Sequence, residues 1–179
     1  MTAELIAFLP IIVLMIATRL LPRRIALLVS LGTAAVTLAP WVIGTGTPKQ
    51  FSLVLAALIA ASFAWHMTHA ESAERWSGLM LTAGVALYAF VSITLGHPFA
   101  EQWAHERVKP ELWTHPLTIH IVTTITWVWG VIYVALSLNT FPRERFLPPE
   151  QVRTILPIVL VVAGIAFSIW YPAFAVANR

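Results

Sequence analysis

Histidine and carboxylate side chains with metal-ligand spacing occur in one polar stretch, His97–Pro116, which we call the polar segment. Its residues His97, Glu101 and His105 are spaced i, i+4, i+8, so a short helix over residues 97–107 would place all three on one face. Two imidazoles and one carboxylate can supply three ligands to zinc and leave a fourth position open. The same spacing also makes the polar stripe of a helix lying at a membrane surface. We favour this second interpretation, because exposed interfacial histidine and glutamate are far commoner than metal ligands.

The remaining faces of such a helix would carry the residues that recognise a partner. The polar segment lies between two almost wholly apolar stretches, and such a position is where a small membrane protein usually keeps its recognition or chemistry. An amphipathic helix there would lie in the membrane interface with its aromatic side chains toward lipid. We predict that the contacts to lipids or to a partner protein are Phe99, Trp103, Arg107 and Trp113.

A second polar group occurs inside the apolar stretch that follows, where His120, Thr124 and Trp127 fall near one helix face. An ionisable residue within a membrane span is costly unless it is paired or hydrated, so these residues could line a polar path for transport. However, His120 lies about one turn inside the boundary, where an imidazole can reach the headgroup water, and threonine can return a hydrogen bond to its own helix. We favour a polar helix-packing seam and keep the path as the alternative.

A third group, His66 and His69, has the i, i+3 spacing of a metal-binding or haem-binding pair. A haem held between spans needs axial histidines at the same depth on facing helices, whereas these two come from one stretch. We therefore predict no bound cofactor or metal. The chain has no cysteine, which excludes thiolate chemistry. It shows no Ser/His/Asp set, phosphate-binding glycine loop or paired-carboxylate site, so we predict that it is not an enzyme.

The composition is that of an integral membrane protein. Of the 179 residues, 59% are hydrophobic and only 11% are charged, whereas soluble domains carry about a quarter charged residues. The isoelectric point is near 9.8, but the basic residues lie at the ends of apolar stretches, where membrane topology and anionic headgroups explain them. We therefore predict membrane lipids rather than nucleic acid as partners.

The apolar stretches predict an all-α fold, a single domain of six transmembrane helices with a short interfacial amphipathic helix between the fourth and fifth. Each stretch is close to the roughly 20 residues that cross a bilayer. The predicted spans are approximately residues 3–21, 25–43, 51–69, 76–95, 117–138 and 155–175.

Basic residues indicate the orientation of these spans, since they are enriched on the cytoplasmic side. With six crossings, one side would carry Arg19, Arg23, Arg24, Arg75, Arg143, Arg145 and Arg153. The other side would carry Lys49, Arg107, Lys109 and Arg179. The majority side is predicted to be cytoplasmic, which places both termini and the polar segment on the outer side.

Two parts of the sequence resemble the intracellular septation protein A family of bacterial inner-membrane proteins. At the N-terminus, Phe8, Leu9 and Pro10 precede an apolar run that ends in Arg19. Later in the chain, a Pro-Phe element, a polar stretch, a Pro-x-x-Trp element and a tryptophan-containing span follow one another. These are Pro98-Phe99, Glu101–Lys109, Pro110–Trp113 and Trp127–Gly130.

The resemblance implies a non-enzymatic protein of the bacterial inner membrane that is linked to septation, cell division and envelope maintenance. It implies a scaffold or accessory role through other envelope or membrane-complex proteins, and a homo-oligomer is a further option. The alternatives are a small transport protein or haem- or metal-binding membrane protein, and a subunit of a larger membrane complex.

Overall fold

The computed structural model describes residues 2–43, 49–141 and 150–178, and within these ranges the chain forms helices and no strand. The long helices are α1 (Thr2–Leu20), α2 (Arg23–Val42), α3 (Gln50–Thr68), α4 (Ala70–Thr94), α6 (Pro116–Thr140) and α7 (Glu150–Ala177). A four-residue helix, α5 (Glu101–Ala104), and a 3₁₀ turn at Pro110–Leu112 lie between α4 and α6. In a bilayer every backbone polar group must be satisfied within the protein, which apolar helices achieve residue by residue.

Five of the helices are long and apolar enough to cross a membrane: α2, α3, α4, α6 and α7. In α1 the apolar stretch of the described residues is shorter, Leu9–Thr18. The prediction of an all-helical protein built from membrane-spanning helices is confirmed at this level. Arg143 and Arg145, which contribute to the predicted orientation, lie outside the described residues.

The chain divides into two compact units, residues 1–81 and residues 82–179. The first unit contains α1, α2, α3 and the beginning of α4, and in it α2 packs against both α1 and α3. Ala26, Ser30 and Ala34 of α2 are almost completely buried, and such small side chains let helix backbones approach closely. The Ser30 hydroxyl also donates a hydrogen bond of 2.6 Å to the carbonyl oxygen of Pro10 in α1.

The second unit contains the rest of α4 together with α5, α6 and α7. Helix α6 packs against α7 and contacts α5. Two glycines permit close packing here: a Cβ atom at Gly130 would lie 2.8 Å from Phe90 Cε1, and one at Gly164 would lie 2.7 Å from Ile132 Cδ1. In α6, 44% of the apolar span is buried, whereas in α7 only 6% of the apolar span is buried. Helix α6 is therefore the inner helix of this unit and α7 its outer one.

Candidate functional site

The polar segment begins where α4 ends in a left-handed turn. Gly96 has a φ of +77°, a conformation that glycine adopts without steric cost. The amide of Gly96 donates to the Ile93 carbonyl, and that of His97 donates to the Ser92 carbonyl, both at 3.0 Å. This pair of hydrogen bonds is the Schellman arrangement, and it ends α4 so that the chain turns back toward the bundle.

Two buried hydroxyl groups hold the chain that follows this turn. The amide of Phe99 donates to Ser92 Oγ at 3.1 Å, and the amide of Ala100 donates to Thr126 Oγ1 of α6 at 3.3 Å. Each hydroxyl donates in turn to its own helix, Ser92 to the Ala89 carbonyl and Thr126 to the Val122 carbonyl. These bonds satisfy backbone amides that would be costly to bury unpaired, so they fix the start of the polar segment against α4 and α6.

Two of the aromatic side chains predicted to contact lipids or a partner, Phe99 and Trp103, are buried in the structure. Phe99 is 2% exposed and Trp103 is 6% exposed, so neither lies at the surface where a lipid or partner could contact it. The Phe99 ring lies edge-on to Trp103 at 5.7 Å and is 6.2 Å from the Tyr88 ring of α4. The helix expected over residues 97–107 is correspondingly shorter, since only Glu101–Ala104 is helical.

The predicted cluster of His97, Glu101 and His105 does assemble on one side of the segment. The Nδ1 atom of His97 lies 3.4 Å from Glu101 Oε2, and the Nε2 atom of His105 lies 3.3 Å from Glu101 Oε1. Each imidazole thus faces a different oxygen of the same carboxylate. No group of three His, Asp or Glu side chains within the described ranges is arranged to hold one metal ion. The arrangement instead fixes the position of the His105 ring.

That ring supports the one exposed tryptophan of the polar segment. Trp113 stacks on His105 with ring centres 4.0 Å apart, and its Nε1–H donates to the Val108 carbonyl at 2.9 Å. The Trp113 side chain remains 36% exposed, and its neighbour Leu112 is 46% exposed. Arg107 is exposed as well. Of the four predicted contact residues, Arg107 and Trp113 are therefore at the surface. Leu112 is exposed beside Trp113 as well, although no periodic pattern indicates it.

The residues of the predicted polar path, His120, Thr124 and Trp127, all lie on α6. His120 is exposed near the start of α6, and its Nε2 atom lies 3.2 Å from the Tyr171 hydroxyl of α7. Trp127 is 50% exposed and packs against Phe90 at 5.1 Å, while Thr124 is half-buried. The three side chains thus have different surroundings. His120 and Tyr171 instead border a shallow groove together with Leu117, Phe174, Ala175 and Asn178.

The histidine pair of α3 also separates. His66 is 3% exposed, whereas His69 is exposed and its Nδ1 atom lies 2.9 Å from Thr68 Oγ1. Helix α3 ends at Thr68, and His69 has φ −142° and ψ 63°, so the helical spacing that would align the two rings stops between them.

No family model, no curated protein and no solved structure matches this chain. The resemblance to the septation protein A family therefore stays a prediction.

Proposed function

We propose that the protein is a non-catalytic scaffold or accessory subunit of the bacterial inner membrane, which binds a partner protein of the envelope through the polar segment. In this proposal α1 also crosses the membrane, which brings the number of spans to six. Both termini and the polar segment lie on the outer side, and the partner acts in septation or envelope maintenance. The five long apolar helices support the membrane location, and the distribution of basic residues supports the orientation.

The observation that carries the proposal is the fixed, exposed position of Trp113. Its ring is held from one side by His105 and at its edge by the Val108 carbonyl, while a third of the side chain stays accessible. Tryptophan and arginine are the residue types most enriched among the energetically dominant contacts of interfaces. With Arg107 and Leu112 nearby in sequence, Trp113 forms what we call the Trp113 surface.

The anchoring of the segment supports the same conclusion. Immobilising flexible side chains and loops on binding costs free energy, and a preorganised surface avoids much of that cost. The hydrogen bonds from Phe99 and Ala100 to buried hydroxyls, and the burial of Phe99 and Trp103, hold the segment in place before any partner arrives.

The test is quantitative co-purification of the tagged full chain from native membranes, with Trp113→Ala as the variant. We expect the amount of co-purified partner to fall tenfold or more, which corresponds to about 1.4 kcal/mol of binding free energy. Trp170→Ala is the control, because Trp170 is also an exposed tryptophan, at 55%, but lies on α7. A photocrosslinker at Leu112 should capture the same partner.

Equal partner yields from wild type, Trp113→Ala and Trp170→Ala would refute the role of the Trp113 surface. Loss of the partner in both variants would show that any exposed tryptophan matters, and would refute it equally.

A further inference from the structure

The imidazole of His105 contacts both a carboxylate and the ring of Trp113. Its Nε2 atom lies 3.3 Å from Glu101 Oε1, and its ring stacks on Trp113 with ring centres 4.0 Å apart and 22° between the ring planes. The His105 side chain is 34% exposed, so water can deliver and remove a proton. Histidine is the side chain whose charge ordinarily changes between about pH 5 and 8, and both neighbours of His105 respond to that change.

The carboxylate of Glu101 favours the protonated form of His105. A neutral imidazole carries a proton on Nε2 in one of its two tautomers, whereas the protonated ring always donates from Nε2. A hydrogen bond between two charged groups is also stronger than one with a neutral donor. The second oxygen of Glu101 lies 3.4 Å from His97 Nδ1, but the His97 side chain is 78% exposed, so water screens this second pair more strongly.

The ring of Trp113 favours the same protonation state. The face of an indole ring is electron-rich and attracts a cation placed over it. The small angle between the two planes puts the His105 ring over that face. A protonated His105 is therefore attracted by Glu101 and by Trp113 together, whereas the neutral ring has a weaker hydrogen bond and a dispersion contact. Protonation of His105 tightens its hold on Trp113.

The other charged side chains of the polar segment balance one another. They are two carboxylates and two cations, all of them exposed: Glu106, Arg107, Lys109 and Glu111. Exposed charges are screened by water and salt, and the sum of these four is zero. The Glu101 carboxylate, 3.3 Å away, therefore dominates the electrostatic field at His105.

The helices beside the segment contribute ionisable groups that are mostly neutral near pH 7. These are His115 and His120 at the start of α6 and Tyr88 of α4. Both histidines are engaged elsewhere, His115 with the amide of Leu117 and His120 with the hydroxyl of Tyr171. The Tyr88 hydroxyl accepts a hydrogen bond from Gln102 Nε2 at 3.4 Å. These groups do not offset the carboxylate of Glu101.

The second contact that holds Trp113 does not depend on pH. Its Nε1–H donates to the backbone carbonyl of Val108 at 2.9 Å, and neither group titrates in the physiological range. Any pH dependence in the hold on the Trp113 ring therefore comes from His105.

We propose that protonation of His105 is a switch that fixes the Trp113 surface for binding. In mildly acidic surroundings the charged imidazole holds the Trp113 ring, and in mildly alkaline surroundings the neutral imidazole holds it less firmly. The switch concerns the regulation of the Trp113 surface and rests on the proposed partner-binding role. A more firmly held surface loses less conformational freedom on binding, so the partner binds more tightly at about pH 6 than at about pH 8.

Fluorine NMR of the full chain in mild detergent, labelled with 5-fluorotryptophan, tests the switch without any partner. The chain has eight tryptophans, and Trp113→Phe identifies the Trp113 signal. We expect this signal to titrate as one proton between about pH 5 and 8. A soluble paramagnetic chelate should broaden it less at the acidic end, because the protonated His105 ring covers one face of the indole. The signal of Trp170, whose ring contacts are Phe167 and Phe174, is the internal control and should not titrate.

Three variants separate the contributions to the titration. His105→Phe keeps an aromatic ring for stacking and removes the proton, so the Trp113 signal should no longer titrate. Glu101→Gln should lower the proton affinity about threefold to tenfold, which moves the midpoint to lower pH by roughly 0.5–1 unit. His97→Gln is the matched control, because His97 faces the same carboxylate but is far more exposed; it should keep the titration at nearly the same pH.

Co-purification of the partner at two pH values tests the consequence for binding. Wild type should retain roughly fivefold more partner at about pH 6 than at about pH 8, the lower limit of typical coupling between two sites. His105→Phe should retain equal amounts at both pH values, which controls for titration of the partner itself.

The results that would overturn the switch differ from those that would refute the partner-binding role. A Trp113 signal that does not titrate in wild type, or that titrates unchanged in His105→Phe, would show that His105 does not control the ring. Equal partner yields at both pH values in wild type, with loss of the partner in Trp113→Ala, would refute the switch and leave the Trp113 surface as the binding site. Full partner yield from Trp113→Ala would refute the binding role, and with it the regulation of binding, even where the fluorine signal titrates.

Discussion

Replacing Phe99 with alanine tests whether the polar segment is anchored by its aromatic side chains. Phe99 is 2% exposed and contacts the rings of Tyr88 and Trp103. Truncating a fully buried phenylalanine typically costs about 3–5 kcal/mol, because it loses transfer free energy and leaves a cavity. Aromatic pairs of this kind contribute roughly 0.5–1.5 kcal/mol beyond burial. We expect a loss near the lower limit, about 3 kcal/mol, since the hydrogen bond of the Phe99 amide to Ser92 Oγ survives the change.

The matched comparison is Trp113→Ala on the same segment. Trp113 stacks on His105 from one side and is 36% exposed, so its truncation leaves no enclosed cavity. We expect about 1 kcal/mol for the lost hydrogen bond and stacking. Phe99→Ala should therefore mainly lower the free energy of unfolding, whereas Trp113→Ala should mainly weaken partner binding. The two residues are only fourteen positions apart.

The assay is equilibrium unfolding in mixed micelles of mild detergent and dodecyl sulfate, followed by far-ultraviolet circular dichroism. Limited trypsin digestion supplies a local readout, because Arg107, which is followed by valine, is an exposed cleavage site in the polar segment. In Phe99→Ala this site should be cut at least tenfold faster than in wild type, and in Trp113→Ala at a similar rate to wild type. If Phe99→Ala costs less than about 1 kcal/mol and leaves cleavage unchanged, Phe99 does not anchor the segment and our argument for a preorganised surface fails.

Two other substitutions probe the packing around the site, each read by the same unfolding assay. Gly96→Ala should cost about 1 kcal/mol, because φ is +77° there and alanine is strained in the left-handed region; a neutral effect would contradict the Schellman end of α4. Gly130→Leu should cost about 2 kcal/mol or more through overpacking, since even a Cβ atom would lie 2.8 Å from Phe90 Cε1. Combining it with Phe90→Ala should recover part of that loss, and no recovery would show that the close contact is not the cause.

Much of the helical layout follows from the sequence alone. The predicted spans at residues 51–69 and 117–138 are observed as Gln50–Thr68 and Pro116–Thr140. Long apolar stretches bounded by charge, proline or glycine leave few alternatives to a helix, because the backbone must satisfy its own hydrogen bonds in lipid. The grouping of His97, Glu101 and His105 was also predictable, since residues four apart become neighbours wherever the chain turns helically.

The sequence could not show what each apolar or polar face would contact. An amphipathic pattern indicates that Phe99 and Trp103 avoid water, but lipid and protein interior are equally apolar, so the pattern does not distinguish between them. Only the tertiary structure shows that both side chains pack inward while Trp113 stays exposed. The reason is local, because Gly96 turns the chain. The hydroxyls of Ser92 and Thr126 then accept hydrogen bonds from the amides that follow this turn.

The same division applies to the other polar residues. Spacing placed His66 beside His69, but the break at His69 separates them, because the i, i+3 relation holds only while the helix continues. Spacing likewise placed His120 with Thr124 and Trp127, whereas its partner is Tyr171, 51 positions later in the chain. Composition and periodicity determined which segments are helical and where polarity is concentrated. Contacts between residues far apart in sequence decided which polar groups are satisfied, which are buried without partners, and which remain available for binding.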